Sequence, residues 1–144
     1  MVAYVKFYDF AEQILKAVHD LDGTHTLKLA LTNTAPAQTD TGLDTGTAHP
    51  PPTNTNGYTA GGNTLSPTLS ESTGTAKLVL ADSTFTASGG ALGSLRYAII
   101  YNDTATSPAD ALIAYYDYGS SISLADTETF TVDFDGTNGF FTLA

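Results

Sequence analysis

The sequence predicts a mainly β fold, an antiparallel β-sandwich or jelly-roll-like barrel with one N-terminal α-helix. Three observations lead to this prediction. Short apolar segments recur along most of the chain, and turn residues separate them at the spacing of all-β folds. Threonine, which suits pleated and half-wet surfaces, is abundant. Helical periodicity occurs once, near the N-terminus. The 144 residues match one domain, so residues 1–144 are treated as a single β domain.

The helix is predicted over residues 9–22. Phe10, Ile14 and Val18 recur every four residues and form an apolar stripe that needs a surface to pack on. Asp9 stands at the N-cap position, where a carboxylate accepts hydrogen bonds from the first free amides. Acidic residues and a glycine then indicate where the helix ends.

After the helix the apolar period changes to two. Leu27, Leu29 and Leu31 share one face, which predicts a half-buried strand. Residues 95–101 are apolar on both faces and predict a central strand. Pro67 confines its own strand to a sheet edge, because proline cannot donate a ladder hydrogen bond. The other predicted elements are strands at 65–70, 75–80, 83–87, 112–118, 122–124, 129–135 and 140–143, and a polar loop at 102–110.

Residues 33–63 differ from the rest in composition. They are rich in Thr, Asn, Gly and Pro, and they contain the run Pro50, Pro51 and Pro52. Long loops of this kind are commonly functional, and three prolines in a row favour polyproline geometry. We therefore predict an arm that reaches over a neighbour or a binding surface, with the three prolines as interface candidates. Deletion of residues 43–55 is then expected to weaken attachment and to leave the fold intact.

Charge and composition exclude several classes of function. The chain has 15 acidic and 5 basic residues and a net charge of −10, which repels nucleic acid and anionic lipid surfaces. It has no cysteine, so thiol catalysis, disulfides and zinc ribbons are excluded. No segment resembles a signal peptide or a membrane span, and we expect synthesis and folding in the cytoplasm. No cofactor is expected.

Two sets of residues are candidates for catalysis. His19, His25 and His49 lack a nucleophile-elbow pattern, and we expect solvent-exposed, inert histidines. Asp133 and Asp135 share one strand face at a spacing that glycosidases use. Alternating Asp on a wet face is also a common way to keep a sheet soluble. The sequence therefore predicts a protein that is not an enzyme.

The segment with Asp133, Asp135 and Asn138 offers several oxygen ligands and a glycine turn, which is an alternative calcium site. It lacks the full twelve-residue calcium-loop pattern. A hairpin turn explains the same residues, so no metal is predicted.

Tyrosines indicate a binding surface. Tyr97, Tyr101, Tyr116 and Tyr118 cluster in two neighbouring predicted strands, with Tyr116 and Tyr118 on one face and Tyr115 on the other. Tyrosine is favoured at interfaces because it combines an apolar ring with a polar tip. The same rings are equally suited to fill a core, and both interpretations stay open.

Several segments resemble small structural proteins of tailed-bacteriophage virions. The similarity runs over nearly the whole chain, and 43–55 is the clearest departure. The segments are YVKFYDF at 4–10, LKLALTNTAP at 27–36, NGYTAGGNT at 56–64, RYAIIYNDT at 96–104 and TFTVDFD at 129–135.

The resemblance implies a non-enzymatic virion component without giving functional residues. A small, β-rich, soluble chain is suited to a capsid decoration or cement protein that stabilises the head. Its expected partners are the major capsid protein or other virion proteins and copies of itself, a trimer being favoured. The alternative is a tail-associated or fibre/adhesin-like carbohydrate-binding module.

Overall fold

The structure is a computed structural model that describes residues 3–144, and it confirms the mainly β fold class. None of the helices in this range has the length and apolar character to cross a membrane. The elements are β1 (Val5–Lys6), α1 (Asp9–Leu15), β2 (Leu27–Thr32), β3 (Asn63–Thr64), β4 (Pro67–Ser72), β5 (Thr75–Leu80), β6 (Ser83–Thr86), β7 (Leu92–Thr106), β8 (Ala109–Leu124), β9 (Thr129–Val132) and β10 (Phe141–Leu143).

The strands form three antiparallel sheets. The largest has the order β1-β8-β7-β2-β3, a second has the order β10-β5-β4, and β6 pairs with β9. All three sheets contribute side chains to one apolar cluster, which is the arrangement of a β-sandwich. The sheets stay separate, so the jelly-roll-like alternative is corrected: this is not a closed barrel.

The main core lies between the large sheet and the two small ones. Leu29 and Ile100 are opposite one another on β2 and β7, and both are fully buried. Leu78 on β5 and Val132 on β9 bring the small sheets into the same cluster. The strand predicted at 95–101 is central, as expected, because β7 has a partner on each side.

Strands β7 and β8 are much longer than predicted. The polar segment 102–110 was expected to be a loop, but the two strands continue through it and turn at Ser107-Pro108. Asn102 lies within β7 and is completely buried. Its amide Nδ2 donates to the carbonyl of Val18 at 3.2 Å, so this polar side chain has a hydrogen-bond partner although it is buried.

The helix is shorter than predicted, ending at Leu15 instead of residue 22. Ala17 adopts a left-handed conformation with φ of 58°. The Ala17 amide donates to the Ile14 carbonyl, and the Val18 amide donates to the Gln13 carbonyl. This is a Schellman cap, which stops the helix before the apolar stripe is complete.

The start of the helix also differs from the prediction. Asp9 is the first helical residue, and Tyr8 at the N-cap makes no side-chain cap bond. The Asp9 carboxylate instead accepts a hydrogen bond from Gln13 Nε2 at 3.0 Å, one turn further on. Phe10 packs against Phe141 of β10 and so holds α1 on the three-stranded sheet β10-β5-β4.

The prediction of a half-buried β2 is wrong, because Ala30 and Thr32 are buried as well as the three leucines. A second apolar cluster covers the opposite face of the large sheet. Its buried members are Phe7, Ala30, Ile99, Tyr101 and Leu112, with Leu43 packed against them.

Residues 33–63 supply part of this cover, so the segment predicted as a long loop or arm is a long loop that lies on the large sheet of its own domain. The Leu43 amide donates to the Asp110 carbonyl at 3.0 Å, and the Gly93 amide donates to the Asn54 carbonyl at 2.9 Å. Tyr58 is buried, and its hydroxyl accepts a hydrogen bond from the Leu31 amide. The segment is thus part of the domain, because its polar backbone finds partners on the sheet that it covers.

Candidate functional sites

An open cleft of about 360 Å³ lies between the β7–β8 hairpin and β9. We call it the aromatic cleft; the residues on which its chemistry depends are Arg96, Tyr116, Asp117, Tyr118, Phe130 and Asp133. Tyr118 is 52% exposed, although its ring packs edge-on against Phe130 at a centroid distance of 5.7 Å. Tyr116 packs in the same manner on buried Phe134. The rings are therefore anchored at one side and accessible at the other.

The polar part of the cleft centres on an ion pair. Arg96 donates from Nε to Asp117 Oδ1 at 2.7 Å and from Nη2 to Asp117 Oδ2 at 2.9 Å. The Gly119 amide donates to the same carboxylate at 2.8 Å. The hydrogen bond from Arg96, followed by that from Gly119, lowers the pKa of Asp117. The pair joins two neighbouring strands and holds both charges at a fixed place in the cleft.

The four candidate tyrosines fall into two groups, two that line the aromatic cleft and two that are buried. Tyr116 and Tyr118 both line the aromatic cleft, as the predicted alternation requires, and Tyr115 packs on the other face against Phe7. Tyr97 and Tyr101 were interface candidates with a core role left open, and both are buried, which agrees with the core interpretation. They belong to the core because the opposite face of the sheet is covered.

The chain was compared with protein-family models, with curated proteins and with solved structures, and none of them matches it. The function is therefore inferred from the chemistry of residues 3–144.

A second site is an apolar groove of about 160 Å³ beside the helix. We call it the contact groove; it is lined by Ile14, Leu21, Leu69, Leu143, Phe141 and their neighbours. Leu69 and Leu143 remain 47% and 56% exposed. Leu69 and Leu143 lie on the same face of the three-stranded sheet as Leu78 and Phe141. Leu69 and Phe141 each pair with Leu78, and Leu143 follows Phe141 by two residues on the same strand. The short helix covers this face only in part, so the margin of the main core is open to solvent.

The expectation that the histidines are exposed is wrong for two of them. His49 is 2% exposed; its Nε2 binds Asp40 Oδ2 at 3.1 Å, and its Nδ1 accepts from the Asp44 amide at 3.2 Å. His19 is also buried, and its Nδ1 lies 3.3 Å from Asn102 Nδ2. Burial, with a smaller contribution from His25, lowers the pKa of His19 to about 4.

The calcium alternative is not supported by the geometry. Asp135 Oδ1 accepts hydrogen bonds from the Thr137 and Asn138 amides, and Oδ2 accepts from Asn138 Nδ2 at 2.7 Å. These bonds form a turn and lower the pKa of Asp135. Asp133 lines the aromatic cleft instead. Within residues 3–144 no group of three or more potential His, Cys, Asp or Glu ligands comes together.

The proline run lies outside the strands and has mixed exposure. Pro51 is exposed, Pro50 is half-buried and Pro52 is buried. Pro51 borders a small cavity together with His49 and Tyr58. The run is thus part of the cover of the large sheet, and Pro51 is the member that a partner can reach.

The sequence prediction missed Arg96, Asp117 and Phe130. Arg96 is the chain's single arginine and stands in a predicted central strand, which is an unusual place for a charge. A charged residue at this position is the feature of the sequence that could have pointed to the cleft. The approach of β9, which encloses the cleft, depends on tertiary structure.

Proposed function

We propose that this chain is a structural protein of a tailed-bacteriophage virion, and that it decorates the head as a cement protein. The observation that carries the proposal is the contact groove, where the margin of the main core is left uncovered. The resemblance of five segments to phage virion proteins supplies the biological context. The protein acts by binding, and we propose no catalytic step.

The contact groove is suited to bind a protein partner. Leu69 and Leu143 expose about half of their surface there, and Leu15, next to the groove residue Ile14, is 88% exposed. Burial of apolar surface contributes roughly 25 cal/mol per Å² removed from water. Because the chain carries a net charge of −10, repulsion opposes unspecific association of its other surfaces. Association is therefore directed to this apolar site, with the major capsid protein as the proposed partner.

Two histidines hold loops in place. Both ring nitrogens of His49 are engaged by Asp40 and by the Asp44 amide. The Nδ1 atom of His25 lies within hydrogen-bond distance of the Asp20 amide and of Asn102 Nδ2.

Binding to shells tests the proposal. We expect the wild-type protein to bind heads that lack it, and the double variant Leu69→Ser, Leu143→Ser to bind at least about tenfold more weakly. Tyr8→Ser is the matched control, because Tyr8 is 64% exposed and is not among the residues that line the groove. Equal binding by all three proteins would contradict the role of the groove.

Antibody labelling of intact phage particles tests the location. Regular label over the head is the expected result. Label confined to the tail would overturn the decoration role and favour the second candidate, a tail-associated or adhesin-like carbohydrate-binding module. The aromatic cleft is the observation that favours this second candidate. Sedimentation of the isolated protein tests the proposed homo-oligomer, for which we expect a trimer.

A further inference from the structure

The aromatic cleft combines apolar faces with fixed hydrogen-bonding groups. Tyr118 and Phe130 present ring surface, and the Arg96–Asp117 pair and Asp133 border it. The volume of about 360 Å³ is at the lower end of small-molecule sites, which span about 300–1,000 Å³. Such sites are mostly apolar and have a few placed polar groups that fix the orientation of the ligand.

Charge limits the class of ligand. The net charge of −10, with Asp117 and Asp133 in the cleft itself, repels anions. Arg96 and Asp117 neutralise one another, so the cleft offers a cation only the single carboxylate of Asp133. A neutral ligand with both hydrogen-bond donors and acceptors can use all three groups. Its hydroxyl groups donate to the two carboxylates and accept from the guanidinium N–H groups that Asp117 does not use.

We propose that the aromatic cleft binds a neutral pyranose unit of a cell-surface glycan. The C–H face of the sugar packs on the exposed ring of Tyr118, and Phe130, whose ring plane stands at 78° to that of Tyr118, contacts the side of the sugar. Its hydroxyl groups bind the Arg96–Asp117 pair and Asp133. Because the cleft is open at one side, it accepts a sugar that continues into a chain.

The polar groups are ordered before the ligand arrives. Two hydrogen bonds fix Arg96 on Asp117, and the Gly119 amide holds the same carboxylate. Tyr118 is held by its edge-on contact with Phe130. Little side-chain entropy is therefore lost on binding, which is the advantage of a pre-organised site.

This inference does not depend on whether the protein sits on the head or the tail. A decoration protein that carries a glycan site and a tail adhesin both satisfy it. The labelling experiment and the sugar-binding experiment can therefore fail separately.

The test is titration of the isotope-labelled full chain with glucose, galactose, mannose and N-acetylglucosamine, followed by amide NMR spectra. We expect at least one sugar to shift the amides of residues 96–98, 116–119 and 130–133 in a saturable manner. Choline and glucuronate are the cationic and anionic comparisons, and neither is expected to bind. Absence of saturable shifts with all four sugars, or stronger binding of choline or glucuronate, would overturn the proposal.

Three variants assign the binding to the proposed residues. Tyr118→Ala is expected to weaken sugar binding by about fivefold or more, since it removes an aromatic face. Arg96→Lys keeps the charge but loses the planar fork, and it is also expected to weaken binding. Tyr8→Ala removes another exposed tyrosine, one that does not line the cleft, and should bind as the wild type does. Unchanged affinity in Tyr118→Ala and Arg96→Lys, with unchanged spectra elsewhere, would contradict the assignment.

Discussion

The hydroxyl of Tyr101 donates a 2.8 Å hydrogen bond to the carbonyl of Gly61 and so ties the centre of the large sheet to the segment that covers it. Tyr101 is 2% exposed and belongs to the second apolar cluster. Burial, followed by the nearby carboxylates, raises its pKa well above the usual range. The residue thus joins two parts of the chain that are 40 positions apart.

Tyr101→Phe is expected to lower the free energy of unfolding by about 1 kcal/mol or more, because the Gly61 carbonyl loses its partner. Tyr8→Phe is the control, since the Tyr8 hydroxyl binds Gln38 on an exposed surface. Urea denaturation measures both variants. Equal stability of Tyr101→Phe and the wild type would show that this bond does not contribute.

Gly62→Ala is expected to destabilise the fold by more than about 2 kcal/mol. Gly62 has φ of +85°, and an added Cβ would meet the Leu29 carbonyl oxygen of β2. Gly74→Ala is the matched control: its φ is +84°, but nothing lies near its Cβ. It should cost only the backbone strain of about 1–2 kcal/mol. Equal losses in the two variants would refute a role for the close approach to β2.

Ala17→Gly is expected to stabilise the protein by up to about 1 kcal/mol. Ala17 occupies the left-handed position of the Schellman cap, with φ of 58°, where glycine carries no Cβ penalty. Thermal unfolding would show a higher midpoint. Ala11→Gly, in the middle of α1, should have the opposite effect. A lower midpoint for Ala17→Gly would mean that the cap does not limit stability.

Protonation of His19 is expected to destabilise the fold at acidic pH. Its pKa is about 4 in the folded state and about 6.5 when unfolded, so the unfolded state binds the proton first. The stability that depends on neutral His19 is fully present above pH 6.5 and is lost as the pH falls through the folded-state pKa of about 4. The difference in unfolding free energy between wild type and His19→Gln should change over this interval. A constant difference would contradict the assignment.

Deletion of residues 43–55 is now expected to lower the free energy of unfolding by more than about 2 kcal/mol. The sequence interpretation as an arm had predicted an intact fold. The segment contains Leu43, which packs on the second cluster, and buried His49. A Gly/Ser replacement of the same length separates lost contacts from chain shortening. Unchanged stability in both variants would restore the arm interpretation.

The sequence predicts those features of the fold that depend only on residues close together in the chain. Apolar residues on both faces of 95–101 and alternation in 129–135 predicted strands where β7 and β9 lie, although β9 ends at Val132. Pro67 marked an edge strand, since proline cannot pair on both sides. The spacing of short apolar segments and turn residues, together with abundant threonine, was sufficient to predict a mainly β chain.

Tertiary structure decided which polar residues are buried. Asn102 and His49 are polar in any sequence pattern, yet both are buried with hydrogen-bonded side chains. The partner of Asn102 is the distant Val18 carbonyl, whereas His49 binds Asp40 and the Asp44 amide of its own loop, and the folding of that loop onto the sheet buries it. The same holds for the aromatic cleft, where Arg96 and Asp117 meet across two strands and β9 closes one side. The sequence by itself located most of the strands, though not their lengths, and it determined the net negative charge and the face of each tyrosine at 115–118. Only the packing of the sheets and of residues 33–63 determined what is exposed, because burial depends on contacts between distant segments.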